Sequence, residues 1–208
     1  MNILAIAPHP DDESIGCGGT LRKHVLAGAH VTVVFLTSGE LGLKHLAKEK
    51  AWQVREGEAR KAAEILGIAE TVFLRGPDWM IRDSAISDQL RPVLAGKDWS
   101  IVYLPHPGEW HPDHNACLSI VRAAVPAEAK FSAVLRGYEI WTALSEYQHV
   151  EDISSVMAVK LRAIRAHQSQ TAQLDYARAA LGLNAYRGAL AGRCRYAEVF
   201  QHIIFHEQ

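Results

Sequence analysis

Short apolar runs alternate with amphipathic segments along the first 125 residues of the chain. The apolar runs have the length and aliphatic content of buried strands, and the segments between them have helical spacing. The predicted strands are 2–7, 30–36, 71–74 and 100–104, and the predicted helices are 15–29, 48–66, 84–95 and 113–125. This alternation predicts an α/β fold with a doubly wound, mostly parallel sheet and helices on both faces.

The pattern is less regular after residue 125. We expect a fifth strand within 133–141, helices over 155–168 and 172–191, and a closing strand over 196–205. The sequence shows no internal repeat, low-complexity tract or linker, so we expect one domain over 1–208.

The composition and charge of the chain exclude several classes of function. Of the 208 residues, 49% are hydrophobic and 22% are charged, as in ordinary globular proteins. The net charge of −1 leaves no basic excess for nucleic acid. No apolar run approaches the roughly 18 residues of a membrane span, and no basic segment leads the N-terminus, so we expect a cytoplasmic protein. The three cysteines are too far apart in sequence for a zinc site of the cysteine type.

Two segments rich in histidine and aspartate follow predicted strands 1 and 4. The first is His9-Pro10-Asp11-Asp12-Glu13, and the second runs from His106 to His114. In a doubly wound sheet these two strands are neighbours at the switch point where ligands bind. We therefore expect the two segments to face each other across one crevice.

Two imidazoles and one carboxylate in that crevice predict a metal site. His9 and Asp12 come from one turn and His114 from the opposite side. Three such ligands with one open position are typical of catalytic zinc, although iron, manganese and cobalt accept the same donors.

The neighbouring residues suggest roles in hydrolysis. Asp11 is the candidate general base for a metal-activated water, and a protonated His111 could stabilise the oxyanion and protonate the leaving group. Asp113 is expected to orient an imidazole from outside the ligand set.

The motifs resemble those of the PIG-L/LmbE-like deacetylases. The similarity lies in the first segment with the glycines that follow it, and in His111-Pro112-Asp113-His114. It implies a Rossmann-like fold and zinc-dependent removal of acetyl from an N-acetylglucosamine-type sugar. It implies the same ligands, His9, Asp12 and His114, with Asp11 as base and His111 as its partner. Family members often form trimers or hexamers, so a homo-oligomer is possible.

Weaker patterns extend the resemblance over nearly the whole chain. They include 37–40, the helix that carries Arg55, 166–170 and 196–200. The sequence departs from the family at Pro8, where many members have alanine, and in the variable loop around Trp110. That loop leaves the substrate's acceptor group undetermined.

Several alternatives stay open at this stage. Arg55 could contact substrate or pair with a structural carboxylate, and Trp110 could stack on a sugar or simply pack in its loop. The chain could also be a metal-dependent amidase or esterase for another small acyl substrate, or a non-catalytic, metal-containing sugar-binding module. A dinucleotide-binding oxidoreductase is disfavoured because Leu21 stands where the third glycine of that fingerprint would fall.

Overall fold

A computed structural model describes residues 1–83, 85–126 and 131–205 of the chain. Seven strands form one sheet in the order β3-β2-β1-β4-β5-β7-β6. The strands are β1 Asn2–Ala7, β2 His30–Thr37, β3 Glu70–Gly76, β4 Trp99–Pro105, β5 Val134–Tyr138, β6 His149–Asp152 and β7 Ala197–Ile203.

The strand order confirms the predicted doubly wound topology. Strand β1 pairs in parallel with β2 on one side and with β4 on the other. Strands β3 and β5 extend the parallel part, whereas β7 runs antiparallel to both β5 and β6. The chain therefore reverses its winding direction between β1 and β4, which is the point where a ligand crevice is expected.

Seven α-helices cover the two faces of the sheet in the described residues. They are α1 Asp12–Leu26, α2 Lys48–Leu66, α3 Ile86–Ala95, α4 Pro112–Ala124, α5 Met157–Ala166, α6 Gln168–Thr171 and α7 Tyr176–Arg187. Helices α1, α2, α5 and α7 pack together, and α3 and α4 pack on one another. Alternate residues of β1 divide between the two layers: Ile3 and Ala5 belong to one apolar cluster, and Leu4 and Ile6 to the other. None of the helices described here combines the length and the hydropathy needed to cross a membrane.

Several boundaries differ from the sequence prediction, and those of α1, α3 and α7 are the ones that bear on the site and the C-terminal helices. Helix α1 begins at Asp12, earlier than the apolar spacing indicated, because Asp12 and Glu13 occupy its first turn and interact favourably with the helix dipole there. Helix α3 begins at Ile86, and the predicted start at residue 84 lies outside the described residues. Helix α7 ends at Arg187, where a π-helical turn takes over the last part of the predicted helix.

The glycines at the start of α1 allow close packing. A Cβ atom added to Gly16 would lie 2.2 Å from the Tyr138 ring, and one added to Gly19 would lie 2.8 Å from Ile153. Strand β5 and the segment after β6 can therefore approach this helix closely, which fixes the position of its first turn.

Candidate metal centre

The two histidine and aspartate segments meet at one edge of the sheet. Strand β1 ends at Ala7 and α1 begins at Asp12, while β4 ends at Pro105 and α4 begins at Pro112. Because β1 and β4 are parallel neighbours, the turns after them lie side by side. The structure thus brings together residues more than 100 positions apart, as expected from the strand order.

Asp12 lies between two imidazoles. Its Oδ2 atom is 3.2 Å from His9 Nδ1 and 3.3 Å from His114 Nε2. One ligand atom from each of the three residues lies within 4.8 Å of the others. Ligand atoms about 2.0–2.2 Å from a tetrahedral ion would themselves be separated by about 3.3 Å. The spacing at Asp12 therefore fits a shared cation.

The His114 ring supplies a second indication of a cation. Both of its nitrogens are buried and form no hydrogen bond among the described residues, and Nε2 has only the 3.3 Å contact with Asp12 Oδ2 given above. An unpaired buried nitrogen carries a free-energy cost that a bound cation would remove. The orientation of Nε2 towards Asp12 shows where that cation would lie.

An excess of carboxylates surrounds the same point. Burial alone would lower the pKa of His9, but the carboxylates of Asp113, Asp12 and Asp78 raise it well above its usual value. Burial alone would raise the pKa of Asp12, but His114 and His9 hold it well below its usual range. A divalent cation would supply the positive charge that His9 otherwise supplies by keeping its proton.

Asp113 holds the ring of His9 from the side away from Asp12. Its Oδ2 atom lies 3.1 Å from His9 Nε2 and accepts the backbone N–H of Trp79 at 2.7 Å. A carboxylate on the far nitrogen directs the near nitrogen, Nδ1, towards the cation position. The structure thus places Asp113 where it can orient the His9 ring.

The structure adds Asp78 to the site, which sequence analysis did not single out. Asp78 follows β3, and its Oδ1 atom lies 3.2 Å from His9 Nε2. Its other oxygen accepts the backbone N–H of Leu41 at 2.8 Å. Its position just beyond a strand end, like that of the two predicted segments, was the signal that could have identified it.

Asp11 lies beside the ligand set in a strained backbone conformation. Its φ angle is 134°, a value that residues other than glycine rarely adopt. Burial raises the pKa of its carboxyl to about 6, and the nearby guanidinium of Arg55 offsets part of that rise. The Asp11 backbone N–H donates to Glu13 Oε2 at 3.1 Å, so the turn is held by a second carboxylate.

Glu13 is in turn held by His167 from the C-terminal part of the chain. His167 is fully buried, and its Nε2 atom lies 3.4 Å from Glu13 Oε1. Ser14 Oγ donates to the same oxygen at 2.6 Å. The turn that carries Asp11 therefore rests on a histidine far along the chain, a contact that sequence analysis did not predict.

Arg55 lies beneath the Asp11 turn. It is only 3% exposed, and its guanidinium donates to Pro10 O at 2.5 Å and to Gly39 O at 2.9 Å. Its Nη2 atom is 3.3 Å from Asp11 Oδ2. Of the two expectations for Arg55, this geometry favours pairing with a carboxylate over direct contact with substrate.

The surroundings of His111 favour a neutral ring, unlike the imidazolium that the sequence suggested. Its Nδ1 atom accepts the backbone N–H of Asp113 at 3.2 Å, which requires that nitrogen to be unprotonated. Burial and the charges of His9 and His114 lower the pKa of His111 to about 4. Both observations favour a neutral ring that carries its proton on Nε2.

Tryptophans form the rim of the crevice. Trp110 is 61% exposed, and its ring centroid lies 5.6 Å from that of His111. Trp79 also lies on the rim, and its ring centroid is 4.4 Å from that of His111. Exposed indole faces next to buried polar groups are suited to stacking on a sugar ring.

Comparison with known proteins places these features in a family. The sequence profile of PIG-L, described as GlcNAc-PI de-N-acetylase, matches residues 4–125. The diacetylchitobiose deacetylase of Thermococcus kodakarensis is 32% identical over 81% of this chain and 69% of its own length. A probable N-acetyl-alpha-D-glucosaminyl L-malate deacetylase 2 of Bacillus cereus is 31% identical over 82% of this chain and 84% of its own.

A solved structure shows that the likeness extends to the whole fold. The crystal structure of a conserved protein from Thermus thermophilus superposes with a TM-score of 0.83 at 28% identity. The alignment covers 99% of this chain and 96% of that one.

The family profile and the relatives place the chain in the deacetylase class of amide-hydrolysing enzymes, and the His-Asp-His cluster at the switch point of the sheet agrees with this class. More particularly, the chain belongs to the PIG-L family. This membership confirms the resemblance and the Rossmann-like α/β fold, and it supports a divalent metal at the cluster.

Proposed function

We propose that the protein is a zinc-dependent deacetylase that hydrolyses the acetamide of an N-acetylglucosamine-type sugar conjugate. The observation that carries the proposal is the position of Asp12 Oδ2 between His9 Nδ1 and His114 Nε2, with Asp11 next in sequence. The relatives named as deacetylases of diacetylchitobiose and of an N-acetyl-glucosaminyl malate support the substrate class.

His9, Asp12 and His114 would hold the cation. Nitrogen and oxygen donors without a thiolate suit zinc, and they also accept ferrous iron. When bound, such an ion polarises a carbonyl oxygen and lowers the pKa of a coordinated water to about 7.

Asp11 serves as the general base in this proposal. Its carboxylate takes a proton from the water as the water oxygen attacks the acetyl carbon. The two fixed neighbours of Asp11 prepare it for this step, because Arg55 lies beside the carboxylate and Glu13 holds the backbone N–H. The proton then moves from Asp11 to the sugar nitrogen as the C–N bond breaks. The products are the amine and acetic acid, which retains the second water proton and then ionises to acetate.

His111 stabilises the oxygen that develops negative charge. Its Nδ1 is occupied by the Asp113 backbone N–H, so the neutral ring presents an Nε2–H donor. A donor fixed in advance in a buried site stabilises an oxyanion without reorganisation. Trp110 at the rim is the proposed contact for the sugar face.

An acetate-release assay with a substrate panel tests the function. The panel contains N-acetylglucosamine conjugates together with simple acetate esters and other acetamides, each measured after zinc or ferrous iron is restored. We expect acetate release from the N-acetyl sugars. Sugar binding without acetate release would instead identify a binding module, and preferred cleavage of esters would identify an esterase.

Asp11→Asn tests the role of the base. The variant should retain its metal and lose about 10²- to 10⁴-fold in kcat, the usual contribution of a general base. Asp88→Asn is the matched control because that carboxylate is largely exposed and pairs with Arg91 on its own helix. Turnover of Asp11→Asn close to the wild-type rate would contradict the assignment.

A further inference from the structure

A cavity of about 290 Å³ lies between helix α1, the end of β5 and helix α7. Most of its wall is apolar. We call it the Trp141 cavity; the residues that matter for its chemistry are Ile15, Ile140, Trp141, Tyr176, Leu183 and Asn184. Its volume is close to the lower limit for small-molecule sites.

The cavity lies next to the candidate metal centre. Ile15 donates its backbone N–H to Asp11 O at 3.0 Å, so one wall begins a single helical turn from the proposed base. The Trp141 ring lies 5.9 Å from that of Tyr176 and 6.1 Å from that of Trp110 on the rim. An aromatic surface thus leads from the crevice into the cavity.

Two charged groups in the wall are already paired. Glu139 forms an ion pair with Arg187 and accepts the backbone N–H of Leu144 at 2.6 Å. Glu198 pairs with Lys160 at 2.6 Å and also accepts backbone N–H groups of α1. These carboxylates are therefore satisfied without a ligand.

Asn184, unlike the two carboxylates, has a side-chain atom without a hydrogen-bond partner among the described residues. Its side chain is 4% exposed, and Nδ2 donates to Ala197 O at 2.9 Å. Its Oδ1 atom is buried and receives no hydrogen bond from any residue that the structure describes. The reverse orientation of the amide would place two oxygens against each other, so the free atom is the acceptor. A buried acceptor without a partner favours a ligand that brings a donor.

We propose that the Trp141 cavity binds an apolar group joined to the amino sugar, and that an O–H or N–H of this group donates to Asn184 Oδ1. This inference rests on the proposed function, because the cavity would hold the part of the substrate that continues beyond the sugar. At about 30 Å³ per water-sized group, the volume accommodates about ten such groups, as in a substituted phenyl ring or a short alkyl chain. A second sugar fits the chemistry poorly, since its several hydroxyls would meet mostly apolar walls, two carboxylates that are already paired and a single unpaired acceptor.

A series of glycosides tests the proposal on the wild-type enzyme. The methyl, phenyl and hydroxyphenyl glycosides of N-acetylglucosamine are compared by kcat/KM for acetate release, the last with the hydroxyl at each ring position. We expect about a tenfold or greater gain from methyl to phenyl through apolar burial. We expect a further gain of about three- to tenfold for one hydroxyphenyl isomer from the bond to Asn184. Equal values for the methyl and phenyl glycosides would overturn the proposal.

A second arm separates the two possible sources of the apolar group. N-acyl glucosamines with acyl chains of increasing length are assayed beside the glycosides. A gain with the glycosides alone places the aglycone in the cavity, and a gain with the acyl series alone places the acyl chain there.

Variants locate the effect in the cavity. Ala179→Trp adds a large side chain to the cavity wall and should reduce the phenyl-to-methyl ratio of kcat/KM to about one. Ala189→Trp, at an exposed position in the π-helical turn, is the matched control and should retain the wild-type ratio. Asn184→Leu should remove only the advantage of the hydroxyl; if that variant fails to fold, the wild-type series decides alone.

Calorimetry distinguishes an error in the cavity proposal from an error in the proposed function. If no substrate releases acetate, the proposed function is wrong, and binding of the phenyl glycoside is measured directly. Binding that is weakened in Ala179→Trp and retained in Ala189→Trp would still support the cavity. Binding that is unaffected by Ala179→Trp would contradict it.

Discussion

Replacing Arg55 with alanine tests whether this buried cation positions the catalytic turn or binds substrate. The structure places the Arg55 guanidinium under the turn, where it donates to Pro10 O and Gly39 O. Its Nη2 atom lies 3.3 Å from Asp11 Oδ2. Arg55→Ala should therefore destabilise the protein and lower kcat, with little change in KM.

The expected loss in the free energy of unfolding follows from the groups that have no partner once the Arg55 side chain is removed. Two buried carbonyls lose their donors, at about 1–3 kcal/mol each, and the Asp11 carboxylate loses its nearest positive charge. Breaking a buried ion pair by removal of one partner costs about 3–5 kcal/mol, so we expect a loss of that order in the free energy of unfolding. A carboxylate that is no longer held against the site should reduce kcat by about tenfold or more.

Urea unfolding and steady-state kinetics of the metal-loaded protein measure the two effects. Arg60→Ala, on the same helix, is the matched control because its side chain is 56% exposed and its partner Glu56 keeps a second ion pair with Arg75. The control should lose no more than about 1 kcal/mol. A raised KM with unchanged stability and kcat would refute the reasoning and show that Arg55 contacts substrate.

Two further predictions concern the metal and the response to acid. His114→Ala should lose most of its bound zinc in metal analysis of the purified protein. His202→Ala, at an exposed position in β7, is the control and should keep its zinc. Equal zinc content in the two variants would show that His114 is not a ligand. Burial, together with the charge of Arg136, lowers the pKa of His24 in the folded protein. The contribution of His24 to stability is therefore present above its unfolded pKa of about 6.5, and it is lost as the pH falls towards the pKa of the folded state. His24→Gln should therefore lose less free energy of unfolding than wild type between pH 7.5 and 5.5, by at most about 1.4 kcal/mol per pH unit. Parallel curves would show that the pKa of His24 is not lowered on folding.

The sequence predicts well the part of the fold that is buried on both faces of the sheet. Strand β1 is a continuous apolar run that ends at Pro8, and its predicted and observed bounds are identical. Strand β6 escaped prediction because its four residues, His149–Asp152, include two acidic side chains and pair with β7 at the sheet edge. Its position depends on a partner strand that arrives about 50 residues later in the chain.

The candidate site likewise has a part that the sequence predicts and a part that it does not. A single topological rule predicted that His9 and His114 would lie together, since it needs only the order of the strands. The support of Asp11 by Glu13 and His167 could not be predicted, because it depends on how the C-terminal helices pack against α1. The contact that favours a neutral His111 comes from a backbone N–H at the start of α4, a detail of helix capping that the motif alone does not specify.

The long separation in sequence between the two halves of the cluster has a consequence for folding. His9 and His114 face a common point only after β1 and β4 have paired and both adjoining helices have formed. An ion that binds this arrangement and not the unfolded chain adds to the stability of the native state in proportion to the logarithm of its free concentration. Metal availability would thus regulate how much of the chain remains folded as well as how much of it is active.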